Sequence, residues 1–172
     1  MHANTRKLVV AAMMTALACV ATMIIKIPSP VKGYINLGDC IVLLCGWLLS
    51  PVWGFWAAGL GSALADVLSG YVIYGPATFL IKGLMALVAH YGYALLEAKC
   101  GSLTSKILSG IAAEMVMLVG YFLFAGMLYG FGPAVLNIPA NAVQGIAGIM
   151  IGIILSQFFE KSKTTIPQEE KR

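Results

Sequence analysis

Long apolar runs dominate this sequence and constrain its fold more than any other feature. Hydrophobic residues make up 60% of the 172 residues, and charged residues make up only 10%. Typical soluble domains carry roughly 25% charged residues, and a domain of this size leaves a large share of its surface in water. In a lipid bilayer this much apolar surface can face hydrocarbon instead of water, so the sequence predicts an all-α integral membrane bundle. Because no stretch remains for a second core, residues 1–172 are predicted to form a single domain.

Six apolar runs are predicted to be transmembrane helices. A spanning helix needs about 20 mostly apolar residues, with a range of about 17 to 25. The second and third runs are short and could form one long helix, but Ser50-Pro51 offers an N-cap serine followed by a proline at the first helical position. The predicted spans are Leu8–Ile25, Leu37–Leu49, Pro51–Asp66, Ala77–Leu96, Ile107–Phe131 and Leu136–Phe159.

The distribution of basic residues predicts the orientation of the bundle. Short cytoplasmic loops collect Lys and Arg. With six spans only Lys26 and Lys32 fall on the external side. With five spans the basic residues near the C-terminus would move to the external side, and the excess of basic residues on the cytoplasmic side would be lost. Both termini are therefore predicted to be cytoplasmic, and residues 161–172 are predicted to be a disordered cytoplasmic tail. The first run could pass for a secretory signal, but five more runs follow, so we expect it to be retained. The basic residues on the cytoplasmic side are Arg6, Lys7, Lys99, Lys106, Lys161, Lys163, Lys171 and Arg172.

Polar side chains within the predicted spans gather towards the external end. Such groups are costly in a membrane and usually line a cavity or pair with one another. In the sixth span, three amide side chains spaced i, i+4, i+7 form one stripe. Three loop tyrosines lie on the same side, which predicts a pocket open to the outside and floored by apolar packing. The predicted ligand-contacting residues are Tyr34, Asn36, Tyr71, Tyr74, Lys82, Glu114, Tyr121, Asn137, Asn141 and Gln144.

Several polar residues also have a structural interpretation. Asp66 and Lys82 either neutralise each other across the loop between the third and fourth spans or contact the ligand. Asp39 is predicted to cap the second span and to hold the loop before it. An ionised Glu114 near the middle of the membrane needs a partner, which a ligand donor or Lys82 would supply. His90 is predicted to be a satisfied core histidine.

Four segments form a recognisable set: Tyr34-Ile-Asn-Leu-Gly-Asp39, Gly61-Ser-Ala-Leu-Ala-Asp66-Val-Leu-Ser-Gly-Tyr71, Tyr74-Gly-Pro-Ala-Thr78 and Ile81-Lys-Gly83. As a set they resemble the substrate-binding S components of energy-coupling factor (ECF) transporters. The resemblance is closest to the riboflavin-type or pyridoxine-type branch. It covers nearly the whole chain, including its size, its six helices and its topology.

The resemblance implies a multi-pass subunit of a bacterial plasma membrane that captures a vitamin from outside and uses no cofactor. Pyridoxine or a related pyrimidine or pyridine is favoured over riboflavin. The implied partners are the vitamin, the lipid bilayer, a transmembrane coupling protein and two ATP-binding-cassette ATPases. The first external loop, about Pro28–Asn36, would be a lid. Ala12 and Ala16 match the family's Ala-x-x-x-Ala motif that docks on the coupling protein, although such a pair can also pack within the bundle.

Two other functional classes are weaker interpretations of the same residues. For a membrane-embedded enzyme, the sequence offers no Ser/His/Asp set, no H-E-x-x-H motif and no paired carboxylates at one depth. A channel or self-sufficient small transporter would carry polar groups through the whole membrane, or an internal repeat. A nucleic-acid partner has no support, since no Lys/Arg cluster interleaves with aromatic residues. We therefore expect a transport subunit whose ATP hydrolysis belongs to its partners.

Overall fold

Six long helices, one short helix and a small β-hairpin make up the described part of the chain. The structure is a computed structural model that describes residues 3–29 and 33–161. The two-residue strands β1 and β2 pair antiparallel between the first two helices, and a 3₁₀ turn precedes the fourth helix. The elements are α1 Ala3–Ile24, β1 Ile27–Pro28, β2 Tyr34–Ile35, α2 Gly38–Leu48, α3 Pro51–Leu68, the 3₁₀ turn Val72–Tyr74, α4 Gly75–Cys100, α5 Ser102–Tyr129, α6 Phe131–Val135 and α7 Ile138–Lys161.

The predicted six-helix membrane bundle is confirmed, but its helices differ in length. Among the described residues, the four helices α1, α4, α5 and α7 lie in segments that are long and apolar enough to cross a membrane. Helix α2 has 11 residues, or about 16 Å at 1.5 Å per residue, against a hydrocarbon core of about 30 Å. Ten of those 11 residues are buried. Helix α2 is therefore the centre of the bundle, enclosed by other helices rather than by lipid.

Small residues let α1 and α3 pack closely. A Cβ atom on Gly61 would lie 2.5 Å from the carbonyl oxygen of Thr15, so this contact requires glycine. Ala18 is fully buried in the same seam. Ala12 and Ala16 lie on the other, exposed face of α1. The docking-motif alanines therefore do not pack inside this bundle.

The glycines of α7 serve the same purpose against α2 and α5. A Cβ atom on Gly148 would lie 2.8 Å from the Asp39 Cβ atom and 3.2 Å from Glu114 Oε1. This close approach brings α7 against the acidic residues of its two neighbours. It also places the polar stripe of α7 next to the start of α2.

Several predicted boundaries are wrong. The polar stretch 97–106 was expected to separate two spans, yet Gly101 alone separates α4 from α5, at a φ of 75° that favours glycine. Helix α5 includes Lys106, whose Nζ atom lies 2.6 Å from Glu160 Oε1 of α7, and this ion pair compensates its buried charge. The predicted tail falls almost wholly on residues 162–172, and the predicted lid includes residues 30–32; both stretches lie outside the described residues.

Candidate functional site

A cavity lies at one end of the bundle, between helices α3, α5 and α7 and the chain that connects α1 to α2. This connection, whose described residues are 25–29 and 33–37, is called the hairpin segment below. Its volume is about 50 Å³, which is smaller than the range of about 300 to 1,000 Å³ for small-molecule sites. Eight of the ten predicted ligand-contacting residues line it; their role in binding stays a prediction. The lining residues are Ser29, Gly33, Tyr34, Asn36, Asp66, Tyr71, Tyr74, Tyr121, Ala125, Asn137, Asn141 and Gln144.

Tyrosine rings form one wall of the cavity. The ring centroids of Tyr34 and Tyr71 are 5.1 Å apart, and those of Tyr71 and Tyr74 are 6.2 Å apart. Offset and edge-to-face arrangements at such distances are favourable, and the same rings can pack against a flat heteroaromatic ligand. Burial and a hydrogen bond to Asp66 raise the pKa of Tyr34 well above its ordinary value, so its hydroxyl stays protonated and donates.

Asp66 joins the tyrosine wall to α4 through hydroxyl groups. The Tyr34 hydroxyl donates to Asp66 Oδ1 at 2.6 Å, and the Thr78 hydroxyl donates to Asp66 Oδ2 at 2.5 Å. The Tyr121 hydroxyl in turn donates to Thr78 Oγ1 at 3.1 Å. Among the described residues, no ion pair joins Asp66 to Lys82 or to any other basic side chain within 4.0 Å. Asp66 and Lys82 therefore form no direct ion pair.

Lys82 pairs instead with Asp39, and neither residue lines the cavity. The Lys82 Nζ atom contacts Asp39 Oδ1, and both side chains are buried. Gln144 Nε2 donates to Asp39 Oδ2 at 2.7 Å. The expectation that Asp39 caps α2 is also wrong, since α2 starts without a side-chain cap at Leu37. A buried ammonium needs a counter-charge. Asp39, in the first turn of α2, provides it for Lys82 of α4.

Glu114 lies beside this pair rather than at the cavity. It is 4% exposed, and neither of its carboxylate oxygens has a hydrogen-bond partner among the described residues. Its Oε1 and Oε2 atoms face Gly148 and Gly145 of α7. The prediction that Lys82 and Glu114 line the pocket is thus wrong, because Lys82 is engaged by Asp39 and Glu114 is directed against the backbone of α7.

The hairpin segment between α1 and α2 is fastened over the cavity. The Ser29 hydroxyl donates to Asn137 Oδ1 at 3.0 Å, and the backbone N–H of Asn36 donates to Gln144 Oε1 at 2.9 Å. On the other side, Lys26 Nζ donates to Ser69 Oγ at 2.8 Å. The first two bonds tie the predicted lid to α7 and the residue before it, and the third ties the chain just before the lid to the residue after α3.

Asn141 differs from its two amide neighbours on α7. Asn137 and Gln144 are engaged by the hairpin segment and by Asp39. Asn141 is half-buried and lines the cavity, and its side-chain amide makes no hydrogen bond within the described part of the chain. It can therefore both donate to and accept from a ligand.

Sequence reasoning missed some lining residues, and it expected a satisfied core histidine that proves to be satisfied but only half-buried. Ser29, Gly33 and Ala125 line the cavity, but a lone serine or glycine in a loop and an alanine in an apolar helix carry no distinguishing pattern. His90 is away from the cavity, and its Nδ1 atom lies 3.0 Å from the carbonyl oxygen of Gly46. This is the satisfied histidine that was expected.

Comparison with known proteins identifies similar chains along nearly the whole length. The family model described as "ECF-type riboflavin transporter, S component" matches residues 2–161. The chain is 37% identical over 144 residues to an uncharacterized protein of Pyrococcus woesei, covering 83% of this chain and 93% of that protein. It is 27% identical over 165 residues to the thiamine precursor transporter HmpT of Lactococcus lactis subsp. cremoris, covering 92% of this chain and 90% of that protein.

The fold is also similar to a solved structure, described as the S component of a bacterial ECF transporter. The TM-score is 0.73 at 24% sequence identity, and the match covers 94% of this chain and 99% of the solved chain. At this identity the likeness concerns the fold.

Proposed function

Since this chain belongs to the family of ECF-type riboflavin transporter S components, we propose that its cavity captures a small heteroaromatic vitamin from outside the cell. Members of this family are substrate-binding transport subunits rather than enzymes. The proposal extends that assignment to a particular cavity and a class of ligand. It also requires the orientation predicted from the basic residues, with both termini in the cytoplasm of a bacterial cell and the cavity at the external face.

The observation that supports the proposal best is the composition of the cavity wall. Four tyrosines line the cavity together with the amides Asn137, Asn141 and Gln144. Aromatic rings bury the faces of a flat ligand, while amides that both donate and accept hydrogen bonds match the edge of a heteroaromatic ring. Mostly apolar or aromatic walls with a few fixed polar groups are typical of small-molecule sites.

A ligand with a single pyrimidine or pyridine ring is favoured over riboflavin. The thiamine precursor transporter HmpT is similar to this chain over 92% of its length, whereas the matching family model carries the riboflavin description. One small cavity suits a single ring better than three fused rings. Riboflavin remains the second candidate.

Binding to the purified protein in detergent tests the proposal. Pyridoxine, an aminopyrimidine carrying a hydroxymethyl group, and riboflavin would each be titrated into the protein by isothermal calorimetry. We expect tight, stoichiometric binding of a single-ring compound without chemical turnover. Riboflavin binding alone would move the assignment to the second candidate, and turnover of a bound compound would instead support an embedded enzyme.

We further propose that α1 docks on a transmembrane coupling protein, which works with two ATP-binding-cassette ATPases. Ala12 and Ala16 lie one turn apart on the exposed face of α1. Small residues at this spacing let a partner helix approach closely within lipid. Residues 1–172 would act in this assembly as one membrane domain.

A further inference from the structure

We propose that Asp66 is a specificity-determining residue that accepts a hydrogen bond from an amino or hydroxyl group of the ligand. This inference rests on the proposed vitamin capture and deepens it, because it names the chemical group that the cavity selects. The ligand class is a heteroaromatic ring, neutral or cationic, that presents such a donor to α3. The inference also chooses ligand contact for Asp66, which the sequence left open between that role and pairing with Lys82.

The geometry leaves Asp66 with unused capacity at the cavity. Asp66 is only 7% exposed, and it is one of the residues that line the cavity. Each carboxylate oxygen accepts one hydroxyl, from Tyr34 on β2 and from Thr78 on α4. An ionised carboxylate has about four acceptor positions. The two hydroxyls therefore fix its orientation and leave room for a further donor.

The charge of Asp66 is compensated less completely than that of Asp39. Asp39 has the Lys82 ammonium on one oxygen and the Gln144 amide on the other. Asp66 has two neutral hydroxyls and, within residues 3–29 and 33–161, no basic group within 4.0 Å. A nearly buried carboxylate is costly unless it is paired and fully hydrogen-bonded. A donor on the bound ligand supplies the missing compensation.

This arrangement predicts strong rejection of ligands that lack the donor. A site built to bind an N–H or O–H group leaves its own buried acceptor unpaired when the analogue without that group binds. We expect at least one amino or hydroxyl group whose removal weakens binding by about tenfold or more, the size of a hydrogen bond to a charged group.

The inference is tested by removing the hydrogen-bond donors of the ligand one at a time and by substituting Asp66. Pyridoxine and the hydroxymethyl aminopyrimidine would be compared with analogues in which one amino or hydroxyl group is replaced by hydrogen or methoxy. Affinities would be measured by calorimetry on the full chain, on Asp66→Asn, and on Asn141→Ala as the control at a lining residue of another helix. We expect the penalty for losing one donor to shrink severalfold in Asp66→Asn, whose amide oxygen is only a neutral acceptor, and to persist in Asn141→Ala.

The outcomes separate this inference from the proposed function. If removing a ligand donor weakens binding equally in the wild type and in Asp66→Asn, Asp66 does not accept a hydrogen bond from that ligand. The proposed vitamin capture would be unaffected by this result. A wild-type protein that binds none of these compounds would remove both proposals. If Asp66→Asn does not fold, Thr78→Val removes one of the two hydroxyls that orient the carboxylate. The same donor penalty should then fall severalfold, and an unchanged penalty for every donor would overturn the inference.

Discussion

Two groups of polar residues lie in the same membrane bundle, and they differ in how fully their hydrogen bonds are used. The ion-pair layer, formed by Asp39, Lys82 and Gln144, is joined by a buried ion pair and an amide hydrogen bond. The pocket layer, formed by Tyr34, Asp66 and Asn141, lines the cavity and keeps acceptors and an amide available. The polar groups of this bundle thus divide into those that hold helices together and those that we propose contact a ligand.

Gln144 connects the two layers. It lines the cavity, donates to Asp39 and accepts the backbone N–H of Asn36. A substitution in either layer should therefore show which function the layer serves, because stability and ligand binding can be measured separately. The predictions below follow in order of decreasing effect on the isolated protein.

The largest effect is expected from breaking the ion pair. Lys82→Met leaves Asp39 as a buried charge without its counter-charge, which should destabilise the protein by about 3 to 5 kcal/mol. Thermal unfolding in detergent, followed by circular dichroism, measures the loss. The double variant Asp39→Leu with Lys82→Met removes both charges and should be more stable than Lys82→Met alone. A double variant less stable than the single variant would mean that the pair is not the structural contact described here.

The next effect belongs to the pocket layer and should appear in binding alone. Asn141→Ala removes an amide that has no partner in the described part of the chain, so unfolding should be nearly unchanged. Ligand binding should weaken by roughly 1 to 3 kcal/mol, measured by calorimetry with whichever vitamin binds the wild type. Equal affinity in this variant would remove α7 from the ligand site.

A smaller effect is expected where the hairpin segment meets Asp66. Tyr34→Phe keeps the ring but deletes the hydroxyl that donates to Asp66 Oδ1. The loss of one hydrogen bond predicts ligand binding weaker by about 0.5 to 1.5 kcal/mol. Tyr71→Phe is the matched control, since it changes a neighbouring ring of the same wall without touching that bond. If both variants behave alike, the hydroxyl of Tyr34 has no special role.

The smallest effect on the isolated protein is expected on α1. Ala12→Trp should leave stability and ligand binding intact, because Ala12 lies on an exposed face. It should nevertheless prevent copurification with the coupling protein and the ATPases, since a large side chain stops close helix approach. Val143→Trp is the control on the exposed face of α7. Normal assembly of Ala12→Trp would refute docking through this face.

The sequence determined much of the bundle because lipid imposes a simple rule on chain composition. Apolar runs long enough to span the membrane became helices, and the Ser50-Pro51 break separated α2 from α3 as expected. The i, i+4, i+7 spacing also placed Asn137, Asn141 and Gln144 on one side. These features are local, so they can be recognised from a few residues at a time.

The remaining features depend on pairings between distant parts of the chain. Which acid receives the ammonium of Lys82 is decided by the packing of α2 against α4, and Asp39 is 43 residues away in sequence. Spacing alone made Asp66 an equally reasonable partner. The short β-hairpin and the single-residue connection at Gly101 likewise follow from tertiary contacts, which no periodicity expresses.

The most direct test of the whole account is mass spectrometry of small molecules released from the protein. Purified wild type, Asn141→Ala and Lys82→Met would be incubated with a mixture of vitamins, washed and heat-denatured. The account predicts a single heteroaromatic vitamin, retained in stoichiometric amount by the wild type and in a smaller amount by Asn141→Ala. Folded Lys82→Met, recovered at low temperature, should still retain it. Vitamin retained equally by Asn141→Ala, or no compound retained by the wild type, would contradict a ligand pocket at the α7 amides.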